Sequence, residues 1–220
     1  MNDFIVIFDM DGVILDSERV YQEIERNMYD ELGIYVSPEE HRKFMGTSER
    51  AMWTYICETF RLNRFVEELV QEERDRFLGM LEIPGTIPLL DGLLPLLEGL
   101  EKQKVPCWIA SSSSASIIKK ILGINDLEKF FRGYVSGDDV SNSKPSPEIF
   151  LKAAKIAGTD PSRCLVIEDS ENGIKAANTA GMAVVALHTS DSNGPDLSDA
   201  RLVIDSLLDL NPDALQGLLK

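Results

Sequence analysis

The stretch "VIFDMDGVILDSE", Val6 to Glu18, decides how the rest of the chain is read. An apolar run typical of a buried strand leads straight into two acids, Asp9 and Asp11, one residue apart and followed by Gly12. Two carboxylates about 5 Å apart repel by roughly 3 kcal/mol at an effective dielectric near 20. A strand that simply exits into a solvated acidic turn would let water screen that repulsion. The other strand ends decide between that reading and a chemical one.

Composition sets the outer bounds. The chain has 220 residues, 44% of them hydrophobic, enough for one large core or a core plus a smaller domain. No apolar run approaches the roughly 18 residues that span a bilayer, and "MNDFIVIFDMDG" breaks its short apolar stretch with acids and lacks a basic flank. A cytoplasmic protein that does not enter the membrane is expected. Asp and Glu number 37 against 22 Lys and Arg, a net charge of −15 that argues against nucleic acid or an anionic membrane as partner. An anionic small substrate then requires a metal ion or local basic groups to reverse the field. Cys57, Cys107 and Cys164 are far apart, show no zinc spacing and read as buried spectators.

Strand-like runs occur at Phe4 to Phe8, Val105 to Ala110, Tyr134 to Val135, Cys164 to Ile167, Ala183 to Leu187 and Leu202 to Ile204. Helical patterns lie between them. Leu96, Leu97 and Leu100 line one, Ile117, Ile118, Ile121 and Leu122 another expected to end at Gly123, and Ile149 to Ile156 a third ending at Gly158. Pro212 opens a last one. This alternation predicts an α/β fold with a doubly wound parallel sheet.

One interval breaks the rhythm: about 95 residues separate the first strand from the second, whereas a βαβ unit takes about 30. The interval reads as helices. Val20, Ile24, Met28 and Leu32 recur every four residues before Gly33; Ser37, Pro38 and Glu40 form a capping box; Phe65, Leu69, Phe77 and Leu81 mark a longer helix, and Asp16 or Ser17 is the expected cap of the first. An all-helical insert over residues 17–83 is expected, with 1–16 and 84–220 forming the α/β core.

In an open α/β sheet, ligands bind outside the carboxyl ends of the strands, near the point where strand order reverses. There the chain places Asp9 and Asp11, then Ser111 and Ser112, then Glu168 and Asp169, with "SKPSP" delivering Lys144. Clustered carboxylates suit a hard divalent cation such as Mg²⁺, which would relieve the repulsion between the acids. A carboxylate can also serve as nucleophile in phosphoryl transfer, with a lysine and a hydroxyl or backbone N–H groups neutralising the phosphate and a second carboxyl moving the proton.

In order and spacing, "VIFDMDGVILDSE", "IASSSS", "SKPSPEIF" and "VIEDSENGIKAA" resemble the four motifs of the haloacid dehalogenase (HAD) superfamily, and more narrowly the subgroup of β-phosphoglucomutase and phosphoglycolate phosphatase. The helical insert falls where that subgroup has its cap domain. The resemblance implies Asp9 as nucleophile, Asp11 as general acid/base, Ser111 on the phosphoryl oxygens, and Lys144 against both phosphate and Asp9. It implies Mg²⁺ held by Asp169, an oxygen of Asp9 and the backbone carbonyl of Asp11, with Glu168 a ligand in some members and a supporting group in others. Gly12 lets the chain turn sharply after the acids. Ser112 can donate in the same way as Ser111, while Ser113 and Ser114 are expected as turn and cap, and Asp138 and Asp139 as turn residues.

The β-phosphoglucomutases carry a histidine after the "D-[ST]" of the first motif and an arginine after the glycine-containing cap motif. Here Tyr21 takes the first place, and "GTSER" puts Glu49 in the second with Arg50 one residue later. Both departures weaken a mutase and favour a Mg²⁺-dependent phosphatase acting on a small phosphorylated metabolite, a sugar or polyol phosphate or phosphoglycolate. A hexose phosphate mutase is the runner-up. A signalling module that stores phosphate on Asp9 is the alternative of another class. Arg50, Trp53 and Arg76 are the candidates for reading the leaving group; His41 and His188 are isolated and not expected as ligands.

Overall fold

The computed structural model describes residues 4–188 and 195–219. Six strands form one sheet: β1 (Ile5–Phe8), β2 (Cys107–Ala110), β3 (Phe131–Val135), β4 (Cys164–Glu168), β5 (Ala183–Leu187) and β6 (Leu202–Ile204). All neighbours are parallel, in the order β3-β2-β1-β4-β5-β6. Strand order therefore reverses at β1, whose Val6 registers with Cys107 of β2 and whose Ile5 registers with Cys164 of β4. The carboxyl ends of β1, β2 and β4 meet at this crevice, the place where an open sheet binds ligands.

Both faces of the sheet are covered, which is why β1 reads as an unbroken apolar run. Val6 and Phe8 face one core with Leu96, Leu97 and Leu100 of α5 (Leu93–Lys102) and with Ile117 and Ile121 of α6 (Ala115–Ile124). Ile5 and Ile7 face the other, with Ile149 and Phe150 of α7 (Glu148–Ala157) and Ile174 and Ala177 of α8 (Glu171–Thr179).

The interval after β1 is helical, as its periodicity predicts: α1 (Glu18–Glu31), α2 (Pro38–His41), α3 (Glu49–Phe60) and α4 (Val66–Leu81) precede the next core helix. Val20, Ile24 and Met28 of α1 are buried with Trp53 and Ile56 of α3 and with Leu69 and Phe77 of α4. The segments leading into and out of this insert run side by side. Asp16 N–H donates to Pro88 O at 3.0 Å and Leu90 N–H to Ile14 O at 3.0 Å.

Local details differ from the expectations at several element ends. The helix expected to end at Gly123 runs through Ile124, and Asn125 caps it with Nδ2 donating to Ile121 O at 3.0 Å. Gly158 does end α7, at φ +67°. Phe65 is not on the buried face of α4; it precedes the helix and is 74% exposed. Ser37 accepts from Glu40 N–H as a cap, yet its helix lasts one turn and passes into a 3₁₀ turn at Arg42–Phe44. The segment Pro212–Leu219 is 3₁₀ rather than α.

Candidate active site

Asp9 leaves β1 into a tight turn in which Met10, Val13, Ile14 and Leu15 are all buried, so the acids stand on a rigid floor. Gly12 is required there twice over. Its φ is +80°, and a Cβ at this position would lie 1.8 Å from Asp169 Oδ2. The absent side chain is what lets the β1 and β4 acids approach one another.

Lys144 sits at the centre, 2% exposed. Its Nζ donates to Asp9 Oδ1 at 2.5 Å, to Glu168 Oε1 at 2.6 Å and to the carbonyl of Ala110 at 3.3 Å. Glu168 is satisfied on its other oxygen too: Oε2 accepts from the N–H groups of Asp169 and Ser170 and from Ser170 Oγ, each at 2.9 Å. Asp11 points elsewhere. Ser17 Oγ donates to its Oδ1 at 2.7 Å and Ser113 Oγ to its Oδ2 at 2.8 Å.

The electrostatics follow from one buried ammonium serving several buried acids. Burial pushes Asp9 up to about 8, against the pull of Lys144, and Glu168 and Asp11 add to the rise. Asp169 is raised well above its ordinary range by burial and then by Glu168 and Asp9. Asp11 is raised by burial, though its two serine hydroxyls and Lys144 hold it back. Burial opposes the charge on Lys144, but Asp9 and Glu168 outweigh it and its pKa rises. Carboxylate oxygens of Asp9, Glu168 and Asp169 lie within 4.8 Å of one another. Hard oxygen donors at that separation, with more negative charge than one lysine neutralises, fit a divalent cation.

The remaining candidates are placed as follows. Ser111 is fully buried, and its Oγ accepts from Ser113 N–H at 3.1 Å. Ser112 Oγ donates at 2.9 Å to the carbonyl of Gly46 in the insert, which Asn172 also holds by donating to Met45 O at 2.8 Å. Ser114 caps α6, as expected of it. Arg50 is exposed, paired with Glu67, and does not line the cavity that contains Asp9. Trp53 is buried and donates to Glu73, and Arg76 pairs with Glu31 and Glu72.

Ser17 and Ser113 were not expected at the site. Ser17 is the N-terminal flank of α1 yet makes no cap bond, because its hydroxyl goes to Asp11. Ser113 lies second-last in a run of four serines whose members the sequence does not distinguish. Asp138 lies in the 3₁₀ turn Gly137–Asp139, as expected of a turn residue, and also joins core to insert: it accepts from Arg74 Nη2 at 3.0 Å and from Ala115 N–H at 3.0 Å. Asp139 caps its turn through Ser136.

A cavity of about 130 Å³ opens above Asp9, Asp11 and Asp169, with the insert forming its opposite wall. Tyr21 stands in that wall, its ring stacked on Phe77 and its hydroxyl 3.4 Å from Ser113 Oγ. His41 is there as well, hydrogen-bonded to Glu25 through Nε2. The other histidine, His188, lies by Asp205.

Comparison with known proteins places this arrangement. Residues 6–187 match the family model of haloacid dehalogenase-like hydrolases. A probable pseudouridine-5'-phosphatase of Drosophila melanogaster is 34% identical over 94% of this chain and 91% of its own. A phosphorylated carbohydrates phosphatase of Thermotoga maritima is 34% identical over 80% and 81%. The crystal structure of β-phosphoglucomutase from Clostridium difficile superposes with a TM-score of 0.86 at 26% identity, covering 100% of this chain and 97% of that one. The chain belongs to the haloacid dehalogenase-like hydrolases and is an enzyme of their phosphatase type.

Proposed function

We propose that this chain is a Mg²⁺-dependent phosphatase that hydrolyses the monoester of a small phosphorylated metabolite, a sugar or polyol phosphate or phosphoglycolate, through a phosphorylated Asp9. The observation that carries the reading is the division of labour between two carboxylates in one cavity: Asp9 held by Lys144, and Asp11 held aside by Ser17 and Ser113. Similarity to phosphatases of phosphorylated carbohydrates and of a nucleoside 5'-phosphate supports the substrate class.

In this mechanism a carboxylate oxygen of Asp9 attacks phosphorus and the bond to the leaving oxygen breaks. Asp11 gives that oxygen a proton, and its raised pKa suits it to carry one. Water then attacks the phosphorus of the aspartyl phosphate, Asp11 takes back a proton, and inorganic phosphate leaves with Asp9 restored. Lys144 favours the ionised form of Asp9 against the effect of burial and adds positive charge beside the transferring group. Asp9 and Asp169, with the Asp11 carbonyl, would hold Mg²⁺, and Glu168, already bound by Lys144 and three donors, would support them. When bound, the cation supplies neutralising charge for the phosphoryl oxygens. Ser111 would order the turn that presents the Ser112 and Ser113 backbone to the phosphate. The insert, residues 17–83, acts as the cap that excludes water and meets the leaving group.

Phosphate release from a panel of sugar and polyol phosphates and phosphoglycolate, with and without Mg²⁺, tests the reading. Release is expected only with Mg²⁺, and Asp9→Asn is expected to abolish it with the fold intact. Conversion of β-glucose 1-phosphate to glucose 6-phosphate without release would make the chain a mutase instead. A phospho-Asp9 lasting minutes would make it a switch.

A further inference from the structure

The cap side of the cavity is chemically one-sided. Glu18, Glu25, Glu49 and Glu73 line it together with His41, and among the described residues no Lys or Arg does. Three of these acids are occupied within the wall: Glu18 by the amide of Gln22 at 2.9 Å, Glu25 by His41, and Glu73 by the indole N–H of Trp53 at 2.5 Å. Glu49 differs. Its Oε2 receives Arg74 at 2.7 Å, but Oε1 is buried and has no hydrogen-bond partner among the described residues, in a side chain only 9% exposed. Buried polar atoms are almost always paired, so an orphan on a residue that lines a ligand cavity points to a donor that arrives with the ligand. Arg74 does not offer that donor to Oε1, since its guanidinium is shared between Glu49 Oε2 and Asp138.

We propose that Glu49 Oε1 accepts a hydrogen bond from a hydroxyl of the leaving group, so that the enzyme selects monoesters of uncharged, hydroxyl-bearing alcohols and rejects those carrying a carboxylate or a second phosphate. The inference rests on the phosphatase reading above and narrows its substrate class. A hydroxyl supplies the missing donor. An anionic group in the same place would bring no donor to Glu49 Oε1 and would add negative charge against a wall that, among the described residues, presents no Lys or Arg. Tyr21, backed by its stack on Phe77, and Met52 lend the same wall an apolar surface for the carbon skeleton.

Steady-state kinetics in Mg²⁺ with glycerol 3-phosphate and phosphoglycolate separate the two leaving-group classes at similar size, and p-nitrophenyl phosphate reports phosphoryl transfer by itself. The wild type is expected to prefer glycerol 3-phosphate in kcat/KM by about tenfold or more, since a site built to hydrogen-bond a hydroxyl discriminates strongly. Glu49→Gln, with each rate referred to p-nitrophenyl phosphate turnover of the same preparation, is expected to shrink that preference about fivefold. Equal rates, or a preference for phosphoglycolate, would overturn the inference and leave the phosphatase reading standing. A Glu49→Gln protein with undiminished preference would overturn the assignment to Glu49. Hydrolysis of none of the three would remove the phosphatase reading and the inference with it. The wild-type ratio needs no variant, so the test survives a Glu49→Gln protein that fails to fold.

Discussion

Ser17 Oγ donates to Asp11 Oδ1 at 2.7 Å, so the residue that opens the first helix of the insert also holds a core carboxylate. The junction between insert and core is thereby written into the surroundings of Asp11, the proposed acid/base group. A change in how α1 leaves the core moves the hydrogen bond that orients Asp11.

Ser17→Ala and Ser113→Ala each remove one of the two hydroxyls on Asp11. A hydrogen bond to a charged group contributes about 1.5–3 kcal/mol, equivalent to roughly ten- to hundredfold in rate. Each variant is expected to lose kcat by about that factor with KM little changed, measured on a substrate whose release step is not limiting. A fall in KM alone would speak against the role given to Asp11.

Lys144→Met removes the one ammonium between Asp9 and Glu168 and leaves both carboxylates buried. Breaking a buried pair in this way costs about 3–5 kcal/mol. Urea unfolding in chelator should show a loss of that order, together with loss of turnover. Unchanged stability would mean that the lysine does not carry the charge balance of the site.

A divalent cation that binds the Asp9, Glu168 and Asp169 cluster only in the folded protein must stabilise it. At a hundredfold excess over Kd the gain is about 2.7 kcal/mol, which for a chain of this length raises Tm by roughly 5–10 °C. Calorimetry with Mg²⁺ and with chelator reads the difference, and Asp169→Asn is expected to abolish it. No shift in the wild type would count against a metal at this cluster.

His41 gives a pH dependence of known sign. Burial opposes its charge, but the hydrogen bond and charge of Glu25 outweigh burial and raise its pKa above the ordinary 6.5. The folded state therefore binds this proton more tightly than the unfolded chain does, and the stability it contributes is complete below pH 6.5. As pH rises from 6.5 through the higher folded value, that contribution is lost. Stability curves measured across this window are expected to fall for the wild type and to flatten for His41→Gln.

The sheet, the helical interval after β1 and the place of Asp9, Lys144, Glu168 and Asp169 were all legible along the chain. Strand and helix periodicity are local properties, and an α/β sheet brings strand ends to one edge whatever the side chains between them. Where a local signal competed with a distant one, legibility failed. Ser17 looked like a helix cap and Ser113 like a turn residue, because nothing near either in sequence says that Asp11 will lie within reach. Asp138 and Arg74 are 64 positions apart, and only closure of the insert over the core makes them a pair. Glu49 shows the same limit. Its identity was plain in "GTSER", but that it would line a cavity with one oxygen buried and without a donor among the described residues depends on how α3 and α4 pack around it. By itself the sequence determined which groups reach the carboxyl edge of the sheet, since that follows from the period of the backbone. Only the tertiary structure decided which hydrogen bonds those groups make, and which one they still lack, because such bonds depend on distances between segments that local pattern does not encode.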